Sequence, residues 1–278
     1  MLIAQITDLH VRPRGKPAYR VSETNMMAER AIDALLALRH RPDVVLVTGD
    51  MTDCGLPDEY RQLRHMLKRL PVPTFMVPGN HDRRDAFREA FPDHPAMSDG
   101  FVQFVIEDHP VRLIGLDTVV PGRSEGALCE RRLAFLEDAL DQDLHKPTVI
   151  FMHHPPFACG FRHMDDIRLL EGAERLRDIV GRHRNVERVL AGHHHRPIVT
   201  RFAGTIASVA AGVAHQVALD FNEDGGGALV FEPPSFELHK YDPAHGLVSH
   251  TAYVERFPGP FPFVLDADYP GFAAAGEA

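Results

Sequence analysis

Short apolar runs alternate with helical patterning through the first half of the chain. Residues 2–7 read as a buried strand. The segment 22–40 carries apolar residues at Met26, Ala31, Ala34, Leu35 and Leu38, a helical spacing, with Ser22 as its N-cap and Pro42 closing it. A second strand at 43–48 is apolar on both faces. A second helix at 58–70 and a third strand at 72–77 follow. This β-α-β-α-β order with continuously apolar strands implies parallel neighbours covered by helices. Functional residues are then expected at the carboxyl ends of the strands.

The middle of the chain changes rhythm. Runs at 101–106 and 111–116 flank the polar Glu107-Asp108-His109-Pro110, which predicts a hairpin. A helix near 130–140, a strand at 148–152, a helix at about 167–183 and a strand at 186–191 come next. Beyond 197 helical periodicity stops, and short strands alternate with Gly, Pro and Asn-Glu-Asp-Gly signals. The expected fold class is α/β, two stacked mixed sheets flanked by helices. Residues 215–278 hold ten of the 22 Phe and Tyr residues (17 Phe, 5 Tyr), among them Phe236, Tyr241, Tyr253, Phe257, Phe261 and Phe263. They are expected to form a small β-rich extension to a main domain at 1–214, acting as a cap or as the contact of a homo-oligomer.

Composition narrows the function classes. The length, 278 residues, and the 44% hydrophobic and 25% charged content suit one large globular body. No apolar stretch reaches the ~20 residues that span a bilayer. The N-terminus runs directly into polar candidate-site residues, with no leader-like pattern, so a cytoplasmic location is expected. Cys54, Cys129 and Cys159 are too few and too scattered for a disulfide framework or a cysteine metal site. A net charge of −9 argues against binding a nucleic-acid polymer.

Five fragments carry the chemistry: Asp8-Leu9-His10, Gly49-Asp50, Gly79-Asn80-His81-Asp82, His153-His154 and Gly192-His193-His194-His195. Each follows an apolar run that reads as a strand. Asp-x-His or Gly-Asp alone is weak, and a carboxylate or histidine at a strand end often only caps a turn. Together, in order and each at a strand end, they supply too many ligands for one ion and a sensible set for two. On a strand, Asp8 and His10 share a face, as do His193 and His195, while His194 points elsewhere. Two metals about 3.5–4 Å apart are a common apparatus for phosphate ester hydrolysis.

The pattern D-x-H, G-D, G-N-H-D, H and G-H-x-H resembles the calcineurin-like metallophosphoesterase superfamily. The run 41–50 (Arg-Pro-Asp-Val-Val-Leu-Val-Thr-Gly-Asp) with Thr52-Asp53-Cys54-Gly55, and Phe151-Met152-His153-His154-Pro155-Pro156, are similar to bacterial class III cyclic-nucleotide phosphodiesterases and glycerophosphodiesterases. The resemblance implies that Asp8, His10 and His195 hold one divalent metal and Asn80, His153 and His193 another, bridged by Asp50. His153 rather than His154 is taken as the ligand because it comes first at the strand end. His81 would face the phosphate without binding metal, and Asp82 would orient it. His154, Phe157, His163 and His215 are further candidates for the substrate pocket, with loop packing as the plainer alternative.

Two divalent ions with Asp8 and Asp50 leave the centre at about +2, and +1 with a bridging hydroxide, a match for a small anionic phosphodiester. Fe, Mn, Co and Zn all suit the ligands. Hydrolysis of a glycerophosphodiester or cyclic nucleotide by a metal-bridging hydroxide is the expected function. Phosphomonoester hydrolysis at the same centre is the alternative, and a catalytically silent scaffold is disfavoured because no element of the set is missing.

Overall fold

The computed structural model describes residues 1–95, 100–222 and 224–261. The strands and helices are, in chain order, β1 (Leu2–Ile6), α1 (Thr24–Leu36), β2 (Val44–Thr48), α2 (Pro57–Leu67), β3 (Thr74–Val77), α3 (Arg84–Ala90), β4 (Phe104–Ile106), β5 (Arg112–Gly115) and β6 (Gly126–Ala127). Then follow α4 (Glu130–Asp141), β7 (Thr148–Phe151), α5 (Arg162–Asp165), β8 (Leu169–Glu171), α6 (Ala173–Arg182), β9 (Val186–Ala191), β10 (Ile198–Phe202), β11 (Thr205–Val209), β12 (Gln216–Val217), β13 (Leu229–Val230), β14 (Ser235–Asp242) and β15 (Gly246–Tyr253).

Two mixed sheets stack face to face. The first has the order β15-β14-β1-β2-β3, the second β10-β11-β9-β7-β5-β4. β1, β2 and β3 run parallel, as do β5, β7, β9 and β11; antiparallel strands close the second sheet at both edges. All five residues of β2 are buried, which is why its sequence lacks alternation. One core cluster joins β1 and β2 with Ala28, Ile32, Leu63 and Met66 of the helices and with Val149, Phe151 and Leu190 of the opposing sheet. A second fills the outer face of the second sheet, where Leu133 and Leu136 of α4 meet Leu176 and Ile179 of α6. The αββα layering expected from the sequence is present, and so is the β4–β5 hairpin.

Local differences have physical causes. α1 starts at Thr24, and Ser22 is instead buried in a bridge with Ala18, so it does not cap. α6 starts at Ala173 because Gly172 adopts φ 80° immediately before it. A Cβ there would lie 2.3 Å from the Leu128 carbonyl oxygen, so the close approach requires glycine. Residues 167–171, expected as the first part of that helix, instead run into the short β8, and the short α5 precedes them. Of the stretch set apart at 215–278, β14 and β15 extend the first sheet from β1, with Phe236 in the core. Tyr253, Phe257 and Phe261 are exposed; Phe263 lies outside the described residues.

Candidate metal centre

Five parallel strands end at one place. β1 leads to Asp8 and His10, β2 to Asp50, β3 to Asn80 and His81, β7 to His153, and β9 to His193 and His195. The backbone there is not strand. Asp8, His10, Asp50, His193 and His195 have φ of 55°, 45°, 45°, 70° and 48°. The i, i+2 pairs therefore meet through left-handed turns, which corrects the expectation of strand alternation. Non-glycine residues in this region cost about 1–2 kcal/mol each, and such strain persists only where the surroundings over-determine it.

Those surroundings are explicit. The Asp8 and His10 amides donate to the carbonyls of Gly49 (3.1 Å) and Asp50 (2.9 Å), and the His193 amide donates to the Asp8 carboxylate at 3.1 and 3.2 Å. Gly79 and Gly192 permit the close packing: a Cβ would lie 2.2 Å from Asp50 Oδ1 at the first and 2.1 Å from Thr7 Oγ1 at the second.

The side chains converge in two groups. One ligand atom each from Asp8, His10, Asp50 and His195 lies within 4.8 Å of the others, all four residues buried. His195 Nε2 is 3.2 Å from Asp8 Oδ1 and 3.2 Å from His10 Nε2, which is 3.7 Å from Asp50 Oδ2. In the second group, His153 Nε2 is 3.3 Å from Asp50 Oδ2 and 3.1 Å from Asn80 Oδ1, and the His193 ring is 4.9 Å from that of His153. Asp50 Oδ2 thus faces both groups.

The remaining ring nitrogens are engaged elsewhere. His153 Nδ1 bonds the Thr48 carbonyl (2.8 Å), His195 Nδ1 the His215 carbonyl (2.8 Å), and His10 Nδ1 lies 3.3 Å from Asp53 Oδ1. His193 Nε2 bonds the Ile167 carbonyl (3.0 Å), leaving Nδ1 for the centre. Such outer partners fix the tautomer of a metal-binding imidazole. Buried imidazole and carboxylate atoms aimed at shared points, their far nitrogens tied back, fit two cations well. Burial by itself would raise the Asp50 carboxyl pKa, but His153 and His81 beside it hold it well below the ordinary value.

His154 packs against the His153 and His193 rings, at 4.8 and 4.6 Å, but both its nitrogens are engaged: Nδ1 is 2.7 Å from the Thr118 hydroxyl and Nε2 3.1 Å from the Ser124 carbonyl. It does not line the substrate pocket, contrary to expectation, because both nitrogens serve this loop. Phe157 does not line it either. It is buried in the second core cluster, since the loop after His153 folds inward there. His163 and His215 do line the pocket, a cavity of about 310 Å³ floored by Asp50, Asn80 and His193. Tyr19 and Ser124 also line it, and neither stood out in the sequence.

His81 and Asp82 divide differently from the expectation. His81 Nδ1 donates to the Asp53 carbonyl (2.7 Å), and Nε2 lies 4.0 Å from Asp50 Oδ2 at the pocket wall. Burial disfavours its charged form, yet Asp50 and the Asp53 carbonyl outweigh this and raise its pKa. The Asp82 hydrogen bonds do not go to the His81 ring. Asp82 instead accepts from the amides of Gly79 (2.9 Å), Met51 (3.1 Å) and Thr52 (3.1 Å) and the hydroxyls of Thr52 (2.9 Å) and Tyr60 (3.0 Å). It fastens the loops bearing Asp50 and Asn80 together. Asp53 takes the orienting role, and its only sequence signal is its place in Thr52-Asp53-Cys54-Gly55.

Residues 1–197 match the sequence profile of the calcineurin-like phosphoesterase family. The chain belongs to that family. Members of the calcineurin-like phosphoesterase family work with a dinuclear divalent metal centre. The chain is 38% identical over 264 residues to a protein of Arcobacter nitrofigilis named as a probable glycerophosphodiester phosphodiesterase, covering 95% of this chain and 97% of that one. It is also 38% identical over 242 residues to one of Rhodopseudomonas palustris named as a probable cyclic nucleotide phosphodiesterase, covering 85% and 86%. Among solved structures, a dimetal phosphatase from Danio rerio shares the fold, with a TM-score of 0.64 over 92% of this chain and 99% of that one at 16% identity.

Proposed function

We propose that this calcineurin-like phosphoesterase hydrolyses a small phosphodiester, a glycerophosphodiester or a cyclic nucleotide. The observation that carries the reading is Asp50 Oδ2 facing two separate sets of buried ligand atoms beneath an open pocket. Asp8, His10 and His195 would hold one divalent ion and Asn80, His153 and His193 the other, with Asp50 between them. Fe, Mn, Co and Zn all match this oxygen and imidazole donor set. The names of the two relatives support a diester substrate.

When bound, the two ions supply Lewis acidity and lower the pKa of water. The chain's own residues supply the rest. His81 presents Nε2 to the pocket while the Asp53 carbonyl holds Nδ1–H, so Nε2 is the atom that gives a proton to the leaving alkoxide. The raised His81 pKa keeps a larger share of the ring protonated near neutrality. Asn80 and His81 share the tight turn after Gly79, and the His81 amide donates to Asp50 Oδ1 (2.9 Å), which holds the acid and the central carboxylate in one frame. Tyr19 and His215, which both line the pocket, pack edge to face at 5.4 Å.

The chain's acidic balance supports a small-molecule substrate over a nucleic-acid polymer, and among the described residues no helix is long and apolar enough to cross a membrane. Exposed Tyr253, Phe257 and Phe261 support self-association through the chain's end. Activity of the Mn-reconstituted protein towards bis-p-nitrophenyl phosphate, p-nitrophenyl phosphate, cyclic AMP and glycerophosphoethanolamine tests the substrate reading. Diesters are expected to exceed the monoester in kcat/KM; preference for the monoester would overturn it.

A further inference from the structure

A chain of directed hydrogen bonds runs through the molecule behind the metal centre. It begins at Arg188 of β9, whose guanidinium donates to Ser249 Oγ of β15 (2.7 Å) and to the Leu247 carbonyl (3.2 Å). Ser249 Oγ lies 2.7 Å from His239 Nδ1, and His239 Nε2 lies 3.1 Å from Gln5 Oε1. Gln5 Nε2 donates to Thr48 Oγ1 (3.0 Å) and to the Ala191 carbonyl (2.9 Å).

Every proton in this chain has one placement. The Ala191 carbonyl can only accept, which fixes the Gln5 amide with its nitrogen toward the centre. Gln5 Oε1 therefore accepts from His239 Nε2–H, His239 Nδ1 accepts, and the Ser249 hydroxyl donates to it. Arg188 completes the series as the donor to Ser249. Burial pushes the His239 pKa down to about 3, which keeps the ring neutral and in that single tautomer. Gln5 and His239 are both fully buried.

Both contacts of the Gln5 amide nitrogen are made where the ligand loops begin. Thr48 is the last residue of β2; its carbonyl receives His153 Nδ1–H, the Thr7 hydroxyl (3.1 Å) bonds it too, and Asp50 follows two residues on. Ala191 is the last residue of β9 and precedes Gly192-His193. One side chain thus ties the sheet that bears Asp8, His10, Asp50 and Asn80 to the sheet that bears His153, His193 and His195. Sheet-to-sheet packing by apolar side chains alone is non-directional and sets no such register.

We propose that Gln5, locked in orientation by His239, is a positioning residue that fixes the spacing of the two half-sets of metal ligands across the sheet interface. The inference rests on the dinuclear-centre reading and adds what holds its geometry. Neither residue touches a candidate ligand, so the effect travels through Thr48 and Ala191.

Gln5→Met, which keeps the approximate shape and removes both polar atoms, tests this with two readouts on full-length protein. One is stepwise Mn²⁺ binding to the chelator-stripped protein by calorimetry. The other is the exchange-coupled Mn–Mn electron paramagnetic resonance signal at saturating metal, which reports the spacing of the pair and which a merely structural role would not move. The expected result is a roughly 10–100-fold loss in the weaker Mn²⁺ affinity, the usual range for loss of an outer partner, and an altered coupling signal. Gln5→Met with wild-type affinities and coupling, even at a lower melting temperature, would overturn the proposal. If that variant does not fold, Ser249→Ala at the half-exposed end of the chain takes the same test, with a smaller loss and an altered signal expected. No change in either readout there would equally overturn it. A wild-type protein that binds no coupled pair would bring down the dinuclear reading, and this inference with it.

Discussion

His81 and Asp82 are adjacent in the chain yet serve different parts of the site. His81 touches the pocket, so His81→Ala should bind two Mn²⁺ normally while kcat on bis-p-nitrophenyl phosphate falls about 10²–10⁴-fold, the usual contribution of a general acid; loss of metal instead would make His81 a ligand. Asp82 takes five hydrogen bonds in the interior. Asp82→Ala leaves buried donors unpaired at about 1–3 kcal/mol each, so the metal-free protein should lose at least about 2 kcal/mol in urea unfolding. An unchanged midpoint would show that other groups hold the two loops. Asp50→Ala removes the one carboxylate oxygen that faces both groups. Calorimetry should then find no second bound Mn²⁺; two equivalents bound would refute the bridging role.

Secondary-structure elements explain why much of this is legible in the sequence. Strands β1, β2, β3, β7 and β9 are mostly apolar because most of their residues are buried between layers, and each leads into a ligand cluster. What the sequence does not carry is which aspartates and histidines adopt left-handed φ, a conformation they take more often than most side chains but still uncommonly. From sequence alone the i, i+2 pairs at Asp8/His10 and His193/His195 therefore look like strand faces, whereas positive φ brings them together. The partner of His81 was equally hidden: Asp82 is its neighbour in sequence, but Asp53 reaches it through a loop that only tertiary packing places. The helix α3 went unread as well. It delivers His94, whose Nε2 accepts the Met76 amide of β3 (2.9 Å) and whose ring packs edge-on against Phe87 and Phe104. Burial pushes the His94 pKa down to about 4, against about 6.5 in an unfolded chain. Below pH 6.5 the unfolded state takes up a proton that the fold refuses. The stability is thus complete above 6.5 and declines as pH falls towards 4, by on the order of 2–3 kcal/mol. Thermal melts of the metal-free protein between pH 7 and 4.5 should show this decline, with a shallower slope for His94→Gln. Parallel slopes would exclude His94 as a source.

Across the whole molecule, each ligand set draws on both sheets, so the site exists only where the sheets meet. An acidic chain with a net charge of −9 reaches an anionic substrate through a local field rather than its overall charge. The proposed self-association belongs at this scale too: truncation after residue 254 spares β14 and β15 but removes Phe257 and Phe261. Light scattering should report a lower mass for that form than for the full chain, and equal masses would place the contact elsewhere. The central claim is that a pair of divalent ions, and no fewer, makes this protein a phosphodiesterase. Its most direct test is a titration of Mn²⁺ into chelator-stripped protein at concentrations above the binding constants, following bis-p-nitrophenyl phosphate hydrolysis. The rate should reach its plateau at two equivalents per chain. A plateau at one equivalent, or full activity in the stripped protein, would contradict the account.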